Sequence, residues 1–219
     1  MLVKDCMTRH PVMVPPTTPA PEAQHIMAEN KIRHLPVVGD GKRLAGLITR
    51  QRLALKADTI ASLDVWEITR YLSNLTVKDV MLKAADVHTI TPDRTIERAA
   101  AILTEHKIGC LPVVEEGDVV VGILSEVDLL RSFQEMLGLP AEGVRVTVRM
   151  PNKEGEFAKL TAMISQHGLG IMGIGSFPSP RRPGYYDMVL KIPRVTLSEV
   201  EAILSRVPDQ EIVDIRQFV

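Results

Sequence analysis

The 219-residue chain reads as a mixed α+β and α/β protein in three parts. Two copies of a β-α-β-β-α unit are packed as a pair, and a β-α-β-β-α-β unit follows. Three observations predict this. First, the tetrapeptide LPVV occurs at 35–38 and again at 111–114, inside a gapless match of Val14–Leu53 with Ile90–Leu129 at a shift of 76 residues. An internal repeat of this kind marks one supersecondary unit used twice. Second, VRVTVRM at 144–150 alternates strictly between apolar and polar residues, the period of a half-buried strand, and opens a segment that the repeat does not reach. Third, only 4% of the residues are aromatic against 45% hydrophobic, so the cores must be built from Val, Ile, Leu, Met and Ala.

The elements of the repeat follow in order. VKDCM at 3–7 matches VKDVM at 77–81 at a shift of 74, so the second copy carries a two-residue insertion near Lys83–Asp86. An extended segment (Val12–Val14; Val87–Ile90) is stopped by proline. A helix follows. In the second copy Thr95 is its N-cap, and Ile96, Ala99, Ala100 and Leu103 share a face. LPVV is too short and too apolar to be an exposed segment and reads as a strand. A glycine turn at Gly41 or Gly117 leads to a second strand, LAGLI at 44–48 or VVVGIL at 119–124. Each copy then ends in a helix. A unit of 50–55 residues is small for independent stability, and two copies burying their sheets together overcome this. Between the copies, Ile60, Leu63, Trp66, Ile68, Tyr71, Leu72 and Leu75 predict a packed helical connector. The expected boundaries are residues 1–55 for the first unit, 56–75 for the connector and 76–136 for the second unit. A linker spans 137–143 and the third unit 144–219.

The formal net charge of −1 argues against a protein that works by neutralising nucleic-acid phosphates. No apolar run reaches the roughly 18 residues of a membrane span, and MLVKDCMTRHP lacks the apolar stretch of a signal peptide, so a cytoplasmic location is expected. Cys6 and Cys110 have no metal-like spacing and read as free thiols; no metal site and no catalytic set is expected.

GILSEVD at 122–128 carries the chemistry of the repeat. A hydroxyl, Ser125, closes a strand at the start of a helix, and a carboxylate, Asp128, follows three residues on. A helix N-terminus presents unpaired N–H groups and a partial positive charge, which suit an anion. A carboxylate there can accept from two neighbouring ribose hydroxyls. The alternative is a capping box in which Asp128 accepts from the backbone. In the first copy, GLITRQR at 46–52, the hydroxyl is Thr49 and the acid is replaced by Arg52.

The tandem pattern, LPVV followed by G-apolar-apolar-[ST]-x-x-D, closely resembles the CBS domain pair, or Bateman module, over residues 1 to about 133. The resemblance implies two clefts between the paired units that take adenine-containing ligands: AMP, ADP, ATP, S-adenosylmethionine or dinucleotides. It implies that Asp128 holds the ribose hydroxyls and that Ser125 lies at the ribose–phosphate edge. By the same analogy Thr89 and Thr91 flank the base, and Ile108, Gly109, Cys110, Leu111 and Pro112 wall the adenine. The first copy departs from the pattern at Arg52 and at Arg33-His34, which stand where the second copy has Gly109-Cys110. These three are either solvated cations of a degenerate copy or phosphate contacts for a ligand in the neighbouring cleft.

In the last third, a loop at PNKEGEF leads into a helix over roughly Glu156–Gln166. Strands at about Ile171–Phe177 and at YYDMVLKI, a helix over Leu197–Arg206 and a strand over Gln210–Gln217 complete the ferredoxin-like order. HGLGIMG contains G-x-G-x-x-G at 168–173, but it ends a helix and opens a strand, the reverse of a dinucleotide fingerprint. Gly168 or Gly170 therefore reads as a helix C-cap. NKEGEFAKL at 152–160 resembles the ACT domain signature. That resemblance implies a ligand loop at Asn152, Gly155, Glu156 and Phe157 and an amino-acid-like ligand between paired ACT units. Asn152 stands where the family usually has Asp, which removes the charge that would pair with an amino group.

The order CBS–CBS–ACT resembles bacterial regulatory proteins of the acetoin-utilisation type. It implies a non-enzymatic homodimeric sensor with an adenine nucleotide or S-adenosylmethionine as regulatory ligand and no required cofactor. The alternatives are a dimerising scaffold with vestigial clefts and a nucleotide-processing enzyme.

Overall fold

The computed structural model describes residues 1–53, 75–139 and 141–218; the expected connector helix falls outside them apart from Leu75. The chain divides into two compact units, Met1–Leu129 and Leu130–Val219.

In the first unit, the first copy supplies α1 (Val3–Cys6), β1 (Thr8–Arg9), α2 (Ala20–Glu29), β2 (His34–Val38), β3 (Leu44–Thr49) and the helical residues Arg50–Leu53, α3. The second copy supplies α4 (Val77–Val80), β4 (Leu82–Lys83), α5 (Ile96–His106), β5 (Cys110–Glu115), β6 (Val119–Ser125) and the start of α6 (Glu126–Met136), whose residues from Leu130 on belong to the second unit. LPVV lies within β2 and β5; Leu35 and Val37 are buried in the first copy, where Val38 is half-buried, and Leu111, Val113 and Val114 are buried in the second. Thr95 caps α5 by accepting from the Arg98 N–H, and Ile96, Ala99 and Leu103 are the buried face of that helix. The two-residue insertion of the second copy becomes a 3-10 turn at Ala84–Asp86.

The copies exchange strands. The leading strand β1 pairs not with its own copy but with β6, through Thr8 opposite Ile123 and Arg9 opposite Gly122. In return β4 pairs with β3, through Lys83 opposite Gly46 and Leu82 opposite Leu47. Two three-stranded sheets result, β2-β3-β4 and β1-β6-β5. This explains the glycines common to both copies. A Cβ on Gly46 would lie 2.3 Å from the Leu82 carbonyl oxygen, and one on Gly122 would lie 2.5 Å from Met7 Sδ. Only a residue without a side chain lets the exchanged segment come so close. The exchange also buries Val77, from the leading helix of the second copy, in the core of the first with Val14, Ala23, Met27, Leu35, Val37 and Ile48. Burying one valine in this way is worth about 1.5–3 kcal/mol.

The extended segments expected at Val12–Val14 and Val87–Ile90 contribute only single parallel bridges, Val14 to Val37 and Ile90 to Val113. Prolines at 11, 15 and 16 bring no N–H to a ladder around the first of them. The outer strand position of each sheet is taken by the exchanged segment instead.

In the second unit, β7 (Gly143–Pro151), α7 (Glu156–Gln166), β8 (Gly173–Pro178), β9 (Tyr185–Ile192), α8 (Leu197–Leu204) and β10 (Glu211–Phe218) follow in the expected β-α-β-β-α-β order. The sheet is antiparallel, in the order β10-β7-β9-β8. Val144, Val146, Val148 and Met150 of β7 and Met188, Leu190 and Ile192 of β9 face Leu160 and Ile164 of α7 and Val200 and Leu204 of α8 in one core. Gly168 ends α7 in the left-handed region at φ +70°, with the Leu169 N–H donating back to the Ile164 carbonyl. The G-x-G-x-x-G sequence is a helix stop.

Candidate functional site: two clefts related by the repeat

Strand exchange brings the end of each second strand against the start of the other copy's first strand. Among the described residues of the first unit, two clefts form there. Cleft one has a volume of about 430 Å³ and cleft two about 290 Å³. Their linings correspond through the repeat. Ser125, Val127 and Asp128 in cleft one stand where Thr49, Gln51 and Arg52 stand in cleft two. Lys31 and Ile32 stand where Lys107 and Ile108 stand.

Cleft one holds the acid. Ser125 ends β6 and Asp128 lies in the first turn of α6. Asp128 Oδ2 accepts from the Ser125 N–H at 2.8 Å and from its hydroxyl at 2.6 Å, while the Asp128 N–H lies 3.4 Å from Ser125 Oγ. The capping box foreseen as the alternative is thus present. Both residues nonetheless line the cleft, so the carboxylate caps its helix and faces a cavity at once. Opposite stand Asn30, Lys31, Ile32, Arg33 and His34 of the first copy, with Thr8, His10, Pro11 and Val12. The cleft therefore offers one carboxylate and several cations or protonatable rings, a set suited to a hydroxylated and phosphorylated or otherwise anionic molecule.

Cleft two is lined by Thr49, Gln51, Arg52, Asp86, Val87, His88, Lys107, Ile108, Gly109 and Cys110, among others. Arg52 Nη1 donates to the Val80 carbonyl at 3.5 Å. The His88 ring stacks on His106, with centroids 3.7 Å apart. His34 lines both clefts. It packs on Gly109, where a Cβ would come within 3.0 Å of the imidazole. Burial holds His34 below its ordinary pKa; the neighbouring Arg33 pushes the same way and Glu126 opposes. Burial, with Glu126 adding to it, pushes the Cys110 thiol up to about 12.

The residues assigned by sequence are thus distributed. Asp128, Ser125, Arg33 and His34 meet in cleft one. Ile108, Gly109, Cys110 and Arg52 meet in cleft two, with His34 between. Thr89, Thr91, Leu111 and Pro112 line neither cleft. Leu111 and Pro112 are buried in β5, Thr89 is half-buried, and exposed Thr91 donates its hydroxyl to the Asp93 carboxylate. Sequence reasoning missed Thr8, His10, Val12, Asn30 and Lys31. The matched VKDCM and VKDVM segments immediately before the exchanged strands were the available signal, but pairing between copies leaves no periodicity of its own.

In the second unit, Asn152, Gly155 and Phe157 are exposed around the start of α7, where Gly155 is left-handed at φ +83°. Glu156 instead turns inward. Its carboxylate accepts from Lys159 Nζ at 2.6 Å and from Gln210 Nε2 at 3.2 Å, and these hydrogen bonds hold it below the usual carboxylate range. Among the described residues, no group of three or more His, Cys, Asp and Glu could hold a metal ion, and no helix is long and apolar enough to cross a membrane.

The repeat, the exchanged strands and the paired clefts define a class, and comparison with known families agrees. The CBS domain family matches residues 3–57 and 77–135, more than half of the chain. The chain belongs to the CBS domain family.

Among solved structures, it is similar to a Vibrio cholerae protein described as an acetoin utilization protein (AcuB). Identity is 33% and the TM-score 0.53, covering 64% of this chain and 94% of that one. It is also similar to the CBS domain pair of protein MJ0100, solved in complex with 5′-methylthioadenosine and S-adenosyl-L-methionine. Here identity is 27% and the TM-score 0.50, covering 61% of this chain and 95% of that one. Among curated relatives, the homoserine O-acetyltransferase of Methanocorpusculum labreanum is 30% identical over 139 residues, which are 63% of this chain. Those residues span only 25% of the transferase.

Proposed function

We propose that the chain is a non-enzymatic, cytoplasmic regulatory protein that senses an adenine-containing nucleotide or S-adenosylmethionine-type ligand in cleft one. The observation that carries this reading is the Ser125–Asp128 pair at the start of α6, lining a cleft of about 430 Å³ with Lys31, Arg33 and His34 opposite. Asp128 accepts from the ribose hydroxyls, Ser125 lies at the ribose–phosphate edge, and the cations opposite take the charged end of the ligand. The complex of the MJ0100 CBS pair with two adenosyl compounds supports the choice of ligand class. In the same reading the CBS pair occupies residues 1–136 and an ACT domain residues 144–219. The ACT domain serves dimerisation or a second, amino-acid-like ligand at Asn152, Gly155 and Phe157. The likeness to AcuB supports a role of the acetoin-utilisation type.

A ligand regulates only through its differential affinity for two arrangements of the protein. The test is thermal unfolding of the full chain with AMP, ADP, ATP, S-adenosylmethionine and 5′-methylthioadenosine, beside Asp128→Ala. A ligand at about 100 times its dissociation constant adds roughly 2.7 kcal/mol. A shift for one adenine compound that is lost in Asp128→Ala supports the sensor. Absence of a shift for every compound sinks the nucleotide reading.

A further inference from the structure

We propose that cleft two is a receptor for a small phosphate-bearing anion and does not take a nucleoside. The inference is independent of what cleft one binds. At the position where cleft one has Asp128, cleft two has Arg52. A ribose diol needs an acceptor there, and a guanidinium offers five donors and none. The surroundings continue the change of sign. Lys107 lines the same cavity, His34 and His88 bring imidazole rings to it, and Asp86 is the one carboxylate among its described lining residues, with Glu126 close behind Gly109.

The groups are held in place. Arg52 engages one nitrogen of its fork with the Val80 carbonyl. His88 is stacked on His106, and His34 is packed on Gly109. Cys110, also in the lining, stays a neutral thiol and adds no negative charge. Thr49 places a hydroxyl where Ser125 stands in cleft one. At about 290 Å³, cleft two is roughly two-thirds the size of cleft one, room for a phosphate monoester or pyrophosphate. Arginine with its planar fork and lysine as a point charge are the usual partners of such oxyanions.

Isothermal titration of the full chain with pyrophosphate and with methyl phosphate, with and without saturating adenosine, tests this. The expected result is one anion per chain that adenosine does not displace. Affinity falls about ten-fold or more in Arg52→Ala, as for loss of a charge-assisted hydrogen bond. It is largely kept in Arg52→Lys and abolished in Arg52→Asp. Circular dichroism checks that each variant is folded. Three results each overturn the proposal: no binding of either anion by the unaltered chain up to about 10 mM, a range weaker than the ordinary millimolar limit; displacement of the anion by adenosine; or equal affinity in folded Arg52→Ala. If Arg52→Ala does not fold, the adenosine competition and Arg52→Lys decide.

Discussion

Replacing Lys191 by methionine should make the second unit more stable. Lys191 sits in β9 opposite Arg145 of β7, on the face of the sheet away from the core that holds Leu190 and Ile192. It is 2% exposed, its Nζ has no hydrogen-bond partner among the described residues, and the Phe218 ring, 4.3 Å from Nζ to centroid, offers a compensating contact. Its stem packs on Gly138, where a Cβ would come within 2.9 Å of Lys191 Cγ. A buried donor without a partner costs about 1–3 kcal/mol. The cation–π contact offsets about 0.5–2 kcal/mol of this, and a methionine thioether keeps a sulfur–aromatic contact of about 0.3–1.5 kcal/mol while filling the same space. The balance favours Lys191→Met by about 1–2 kcal/mol at neutral pH, with about 4–8 °C in Tm for each kcal/mol in a unit of this size.

Burial holds the Lys191 pKa below its ordinary value. Between that depressed value and the ordinary lysine range, the unfolded chain binds more protons than the folded one. Stability of the unaltered protein therefore rises with pH across that window. The advantage of Lys191→Met should shrink as pH approaches 10. Differential scanning calorimetry of both proteins between pH 6 and 10 measures both effects. A variant no more stable than the unaltered chain at pH 7, or an advantage that grows with pH, would refute the reasoning.

Three further outcomes are expected. Because the His34 pKa is lowered in the folded state by burial and Arg33, against Glu126, the unfolded chain takes up the proton first. Stability should fall as pH drops below about 6.5, and the fall should be shallower in His34→Gln, measured by urea unfolding at pH 7.5 and 5. Cys110, 3% exposed and with its thiol pushed up to about 12, should resist a thiol reagent at pH 8 in the native protein and react on unfolding; modification at an unhindered rate while the circular dichroism stays native would contradict the burial. Gly46→Ala should cost about 1–3 kcal/mol as an overpacked site, because its Cβ meets the Leu82 carbonyl of the exchanged strand. Equal stability in a chemical denaturation series would count against the exchange.

Much of the fold was legible in the chain. The repeat located both LPVV strands, the Thr95 cap and the glycine that each second strand requires. Strict alternation located β7, and the left-handed turn after α7 separated G-x-G-x-x-G from a cofactor loop. These are local properties: period, capping and turn chemistry act within a few residues. The Ser125–Asp128 pair was legible for the same reason, since three residues on one turn fix it.

What the sequence did not determine is which distant segments share a cleft. Gly46 and Gly122 were visible as repeated glycines, but not that each admits a strand from the other copy. That pairing decides that Asp128 faces Arg33 and His34, while Ile108 and Cys110 face Arg52. In the second unit, packing between elements distant in sequence decides that Glu156 is spent on Lys159 and Gln210 while its neighbour Phe157 is exposed. A lysine among alternating strand residues likewise reads as solvent-facing, and only packing beneath Gly138 and Phe218 buries Lys191. Periodicity reports which face of an element is apolar. What covers the other face is set by chain segments far away in sequence, and only the tertiary structure brings them together.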